Sequence, residues 1–262
     1  MFIIGELING MYKNIGQAIK EKDKAIIQKC ALEQIKRGAD ALDVNCGPAS
    51  RQPASDIQWL IQSIQEVTDK PLSLDSSNPQ VIESGLKVVK NKAIINSTTA
   101  DPEKLDVLVP LAKKYNAKLI GLTISTKGIP QNKDQRLELA ATIVASCSEQ
   151  GFPLEDLYLD PIVLPVNVAQ SQMKDILEVI HEFKIISEPS PKSIVGLSNV
   201  SQGTCVRSLV NRIFLTMAVA FGLDAAILDP TDKDLMDAAI TSELILNKQI
   251  YCDSYLGAYR KR

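Results

Sequence analysis

A period constrains this chain more than any other feature of its sequence. Eight short apolar runs recur, and each is followed by a stretch of helical pattern. The runs are FIIGE (2–6), ADALDVN (39–45), KPLSLD (70–75), KAIIN (92–96), AKLIGLT (117–123), LYLD (157–160), SIVGLSN (193–199) and DAAILD (224–229). Strands alternating with helices predict βα units and a parallel sheet. Ser55, with Gln58 three residues on, predicts a capping box ahead of DIQWLIQSIQEV. Pro79 and Pro102 stand where a first helical residue tolerates proline, with Asn78 and Asp101 as N-caps. RLELAATIVASCSEQG closes on Gly151 as a helix stop. Eight units without a long linker or a composition break predict a closed (β/α)8 TIM barrel, a single domain over residues 1–262. The alternative is an open doubly wound sheet, but neither G-x-G-x-x-G nor G-x-x-x-x-G-K-[ST] follows any run.

Composition narrows the function. Lys plus Arg (29) against Asp plus Glu (31) gives a net charge of −2, without the basic footprint of a nucleic-acid binder. Aromatic residues are only 5%, too few for rows of base-stacking platforms. The five cysteines are odd in number and never form C-x-x-C, which fits neither a disulfide framework nor a zinc site. No basic leader precedes the apolar run in MFIIGELINGMYKN, and no run approaches the roughly 18 apolar residues of a membrane span. A reducing cytoplasm is the expected location.

In a parallel barrel the chemistry gathers at the carboxyl ends of the strands. Those ends read Glu6, Asn45, Asp75, Asn96, Thr123, Asp160, Asn199 and Asp229, all polar. Asp and Asn are also ordinary turn and capping residues. That reading suffices for Ser97, Thr98 and Thr99, and for Asp229 ahead of Pro230, Thr231 and Asp232; for Glu6 both readings stay open. Asp75 and Asp160 are harder to explain as caps, because other polar residues follow each in the next turn. A carboxylate at a barrel mouth needs a partner, and Lys and Arg are scarce at these ends. A ligand rich in N–H groups, a neutral or cationic heterocycle, would supply one.

Four segments in order, LDSSN (74–78), INSTT (95–99), LDPIVLPV (159–166) and GLSNVSQG (196–203), resemble the pterin-binding barrels. Within them the chain is most similar to the methyltetrahydrofolate:corrinoid/iron–sulfur protein methyltransferase family of acetyl-CoA synthesis, from IIGELINGM to NKQIYCDSY. The resemblance implies that Asp75, Asn96 and Asp160 hold the pterin. A carboxylate can accept two adjacent N–H groups of its aminopyrimidinone edge, and Asp160 is the candidate for that edge. Gln202 and Arg207 would complete the wall, although Arg207 also suits an exposed helix start. The resemblance puts Asn199 at the chemistry. The methyl group sits on N5 of methyltetrahydrofolate, and N5 is a poor leaving group unless protonated or strongly hydrogen-bonded in the transition state. An Asn oxygen can stabilise an N5–H as it forms, and Asp75 can join the network that delivers the proton.

The methyl acceptor implied is cobalt(I) of a corrinoid carried by a corrinoid/iron–sulfur protein, with no metal bound by this chain. The usual corrinoid-ligating motif is D-x-H-x-x-G; the only histidine, His181 in EVIHEFK, lacks both the Asp and the Gly. Family likeness also implies a homodimer. A dihydropteroate synthase would carry Lys at the end of strand seven and Arg-x-His at strand eight, where this chain has Asn199 and Asp229. Zinc-activated homocysteine chemistry would need a cysteine cluster, and a Schiff-base aldolase a lysine at a strand end; neither is present. A non-catalytic pterin-binding barrel is the remaining alternative.

Overall fold

The computed structural model describes residues 1–48 and 50–259. Its strands are β1 (Phe2–Asn9), β2 (Ala41–Asn45), β3 (Leu72–Asp75), β4 (Ile94–Thr99), β5 (Lys118–Leu122), β6 (Leu157–Asp160), β7 (Lys192–Gly196) and β8 (Ala225–Leu228). Each runs parallel to the next, and β8 closes on β1 from Phe2↔Ala225 to Gly5↔Leu228. The architecture is the (β/α)8 barrel expected from the period, and closure leaves no strand edge unpaired.

The helices are α1 (Lys13–Glu21), α2 (Lys24–Lys36), α3 (Pro53–Gln65), α4 (Pro79–Leu86), α5 (Pro102–Lys114), α6 (Lys133–Glu149), α7 (Val166–Ala169), α8 (Met173–Glu182), α9 (Arg207–Ala220), α10 (Lys233–Ile245) and α11 (Tyr255–Tyr259). Helix α3 shows why they cover the barrel. It buries Ile57, Leu60, Ile61 and Ile64, one stripe at i, i+3, i+4 and i+7. Each such side chain contributes about 1.5–3 kcal/mol through removal from water.

Alternation along each strand sorts the side chains into two cores. Outward residues such as Ile95, Leu119, Leu159 and Val195 pack beneath the helices. Inward residues Ile4, Ala41, Ile94, Ile120, Ile194 and Ala225 pack around Tyr158 in the lumen. Below them Lys118 stands 4.9 Å from the Phe2 ring and Lys192 5.5 Å from the Tyr158 ring, so ammonium groups on aromatic faces close the floor. One inward position further up on β1, β2, β4 and β6 lie Glu6, Asp43, Asn96 and Asp160. The same alternation that fills the lumen with hydrocarbon therefore lines its mouth with polar groups.

Several local expectations change. The capping box at Ser55 does not form: α3 starts earlier, at Pro53, whose ring pre-sets the first helical residue. Gln58 instead donates to the Ser84 carbonyl at 3.0 Å. Asn78 does cap α4, accepting from Gln80 N at 2.9 Å. Asp101 precedes α5 but makes no cap bond, because its carboxylate accepts from Thr126 N and Oγ1 at 2.9 Å. Helix α6 stops ahead of Gly151, whose φ of 63° suits glycine. Glu6 is not a strand end, since β1 continues to Asn9 past an irregular step between Gly5 and Ile8. Asn199 is not one either. β7 stops at Gly196, and Leu197–Ser201 forms a 3-10 turn in which Ser201 Oγ takes the Ser198 carbonyl at 3.2 Å, a local bond that competes with continued strand pairing.

Candidate functional site

The mouth is built from residues of β1, β2, β3, β4 and β6 and from the turn after β7. Asp75 and Asn96 are register partners on β3 and β4. Asn45 Nδ2, from β2, donates to Asp75 Oδ2 at 2.6 Å, and its own Oδ1 accepts from Gly47 N at 2.6 Å. Asn96 Nδ2 donates to Asp43 Oδ1 at 3.0 Å. Strands β2, β3 and β4 thus present one linked row of carboxyls and carboxamides. The row depends on a close backbone approach beside it: a Cβ on Gly10 would lie 2.2 Å from the Cys46 carbonyl oxygen, so only glycine lets the β1 and β2 loops meet.

Asp160 stands on the other side of the lumen, buried at the end of β6. Its Oδ1 accepts from Ile162 N at 2.7 Å, and the Gly196 amide on β7 also favours its ionised form. From above Gly196 the Asn199 side chain reaches over: a Cβ at 196 would come within 3.2 Å of Asn199 Nδ2. Asn199 itself is exposed to the mouth.

Gln202 and Arg207 lie at the rim, both exposed. Arg207 starts α9 and turns its guanidinium onto the 3-10 turn, with Nε on Ser201 Oγ at 3.1 Å and Nη2 on the Ser198 carbonyl at 3.2 Å. The predicted residues therefore fall into two sets. Asp75, Asn96, Asp160 and Asn199 share the mouth, while Gln202 and Arg207 shape its edge.

Burial governs the electrostatics. Desolvation raises the Asp160 carboxyl from 3.8 to about 6, against the pull of the Ile162 and Gly196 amides. Glu6 is raised to about 7, mainly by burial, and Ser198 Oγ donates to its Oε2 at 2.9 Å. Asp43 is pushed well above the carboxylate range by burial and then by Asp75 beside it; Asp75 is raised too, by burial. Carboxyls tuned toward neutrality can give or take a proton at physiological pH. The set can also accept the N–H groups of a flat heterocycle from both sides.

Asp43 is the residue that sequence reasoning missed. Its signal lies in the chain itself: an acid inside the apolar run ALDVN, two residues before Asn45 and so on the same face. Glu6 is open between two readings in the sequence, and its contact with Ser198 spans 192 residues. Among the described residues no group of three or more His, Cys, Asp or Glu side chains could hold a metal ion, and no helix is long and apolar enough to cross a membrane. Outside the barrel, an apolar groove of about 480 Å³ runs along α8 and α9. Lys174 is its one titratable lining residue among those described.

Comparison with known proteins agrees with this geometry. Residues 13–229 match the family described as pterin binding enzyme. The chain is 29% identical over 270 residues to the methylcorrinoid:tetrahydrofolate methyltransferase of Eubacterium limosum, covering 100% of this chain and 97% of that protein. It is 27% identical over 214 residues to the methionine synthase of Mycobacterium leprae, covering 76% of this chain but 18% of that protein. In three dimensions it resembles Yersinia pestis dihydropteroate synthase, solved with a pterine–sulfa conjugate, with a TM-score of 0.68 at 16% identity over 94% of each chain. The Clostridium difficile dihydropteroate synthase solved with pteroic acid gives a TM-score of 0.67 at 18% identity, over 94% of this chain and 96% of that one. At those identities the two synthases speak to the fold alone.

Proposed function

Since the chain belongs to the family of pterin-binding enzymes, we propose that it moves a methyl group between N5 of tetrahydrofolate and the cobalt of a corrinoid carried by a partner protein. The observation that carries this reading is likeness over the full length, at 29% identity, to a protein named for that pair of substrates. The corrinoid, a co-substrate here, supplies a cobalt(I) nucleophile in one direction and a methylcobalt donor in the other. The remaining tasks fall on this chain. Asp160 accepts two N–H groups of the pterin edge, Asn96 meets the mixed nitrogen edge, and Asp75 lies by the reduced ring. When the C–N5 bond breaks, its electron pair stays on N5, which must gain a proton. Asn199 stabilises the N5–H as it forms, an interaction stronger in the transition state than in the ground state. Gln202 and Arg207 complete the rim. Asn199, in the turn after β7, and Asp229, just after β8, disfavour a synthase that would need basic groups there.

The finer reading is that the partner is a corrinoid/iron–sulfur protein of the acetyl-CoA pathway, in the cytoplasm. The whole chain, 1–262, would act as one pterin-binding domain within a homodimer. Support for the dimer is the outer groove, where Leu209, Ile213 and Met217 are 53%, 52% and 45% exposed. A contiguous apolar patch of this kind commonly marks a protein interface.

Stopped-flow mixing of the protein and methyltetrahydrofolate with a corrinoid protein reduced to Co(I) tests the proposal. Wild type should convert Co(I) to methylcobalt. Asn199→Ala should keep folate affinity within a few-fold and transfer about 10²-fold more slowly. Wild type that binds folate yet leaves Co(I) unmethylated would overturn the reading.

A further inference from the structure

Arg136, on α6, is 0% exposed and is the largest wholly buried side chain among the described residues. Its Nε donates to the Pro161 carbonyl at 2.8 Å, its Nη1 to the Asn132 carbonyl at 3.2 Å and its Nη2 to Gln172 Oε1 at 2.7 Å. No carboxylate forms a salt bridge with it among the described residues; Asp175, which it feels at longer range, accepts from Lys133 N at 3.2 Å. A buried ion without a contacting counter-ion is costly, and an apolar side chain of similar volume would pack more cheaply. What a guanidinium adds is a planar fork whose N–H groups point in fixed directions. Here the fork ties together the start of α6, the turn before α8 and the residue that follows Asp160.

That last contact matters because of the elbow it holds. Ile162 has a φ of 63°, in the left-handed region that β-branched residues avoid. In that conformation its N–H points back to Asp160 Oδ1 at 2.7 Å. The Asp160 carbonyl is held separately, by Thr123 N at 2.9 Å and Thr123 Oγ1 at 3.0 Å. Strand β5 thus fixes the Asp160 backbone, and Arg136 fixes the next peptide, whose rotation would swing the Ile162 amide off the carboxylate.

We propose that Arg136 is a positioning residue for Asp160, holding the strained 160–162 elbow in the one geometry that aims the carboxylate at two ligand N–H groups. The inference rests on the reading of Asp160 as the pterin-binding carboxylate. A double-mutant cycle on tetrahydrofolate affinity, measured by calorimetry, tests it with Arg136→Met, Asp160→Asn and the pair. Arg136→Met should weaken binding by about 10- to 100-fold, the loss typical at metal sites when a group that orients a ligating side chain is removed. The transfer rate at saturating folate should stay near that of wild type. Because Arg136 acts through Asp160, the pair should bind no more weakly than Asp160→Asn alone.

A merely structural arginine would give losses that multiply, and that result, or Arg136→Met with wild-type affinity, overturns the inference. Should Arg136→Met fail to fold, Arg136→Lys takes its place in the cycle. The ammonium can still donate to the Pro161 carbonyl, so a smaller loss that again vanishes in the Asp160→Asn background is expected. Asp160→Asn with wild-type affinity would sink the pterin reading and this inference together. Weak binding by Asp160→Asn beside unchanged binding by Arg136→Met would sink this inference alone.

Discussion

Replacing Asp160 by asparagine should make the ligand-free protein more stable at pH 8 while weakening its hold on the ligand. Burial lifts this carboxyl from 3.8 to about 6, so the folded chain holds the proton more tightly than the unfolded chain does. Its stabilising contribution is complete below pH 3.8 and is lost as pH climbs to about 6. Above that, the buried ionised group costs the fold about 3 kcal/mol relative to its neutral form. Asparagine is neutral at every pH and keeps an oxygen for the Ile162 amide, so the variant should recover up to that amount at pH 8. In a chain of this size the gain corresponds to a rise in Tm of no more than roughly 10 °C. Near pH 5, where the folded protein already holds the Asp160 proton but the unfolded chain does not, the gap should narrow to about half of that, and it should close only below pH 3.8. Tetrahydrofolate binding should meanwhile weaken by at least about tenfold, because charge-assisted hydrogen bonds are lost. Calorimetric melts of both proteins at pH 5 and pH 8, without ligand, decide the matter. A variant less stable than wild type at pH 8, or a difference that does not change with pH, would refute the reasoning.

The same carboxyl sets a pH dependence of binding. Wild-type affinity for tetrahydrofolate should fall by up to about tenfold per pH unit below about 6, while Asp160→Asn should lack that limb; calorimetric titrations from pH 4.5 to 8 check this. Gly10→Ala should destabilise the fold by about 2–4 kcal/mol, because its methyl would meet the Cys46 carbonyl at 2.2 Å. A melt within 1 °C of wild type would show that the two loops can part freely. Leu209→Asp combined with Ile213→Asp should leave methyl transfer from free methyltetrahydrofolate in place but yield monomers in sedimentation. Persistence of the wild-type mass would remove the groove from any subunit contact.

Much of this protein is legible in the order of its residues. The alternation of Ile4 and Glu6, or Tyr158 and Asp160, is a property of extended chain. Eight such runs with helical crossovers leave few alternatives to a barrel. Placement of Asp75, Asn96 and Asp160 at the mouth follows from that topology, since parallel strands point all their carboxyl ends the same way. Local chemistry is readable wherever one residue dictates it, as with Asn78 capping α4 or Gly151 ending α6. It fails where neighbours compete, as when Thr126 claims the Asp101 carboxylate.

Only the closed barrel decides the partners. Asn45 finds Asp75 at 2.6 Å, Asn96 finds Asp43 at 3.0 Å, and Glu6 meets Ser198 at 2.9 Å across a separation of 192 residues. The raised carboxyls and the wholly buried Arg136 depend on what surrounds each group in space. Periodicity is a local property that a sequence carries in order. Desolvation and hydrogen-bond pairing arise when distant segments exclude water from one another, and only the tertiary structure brings those segments together.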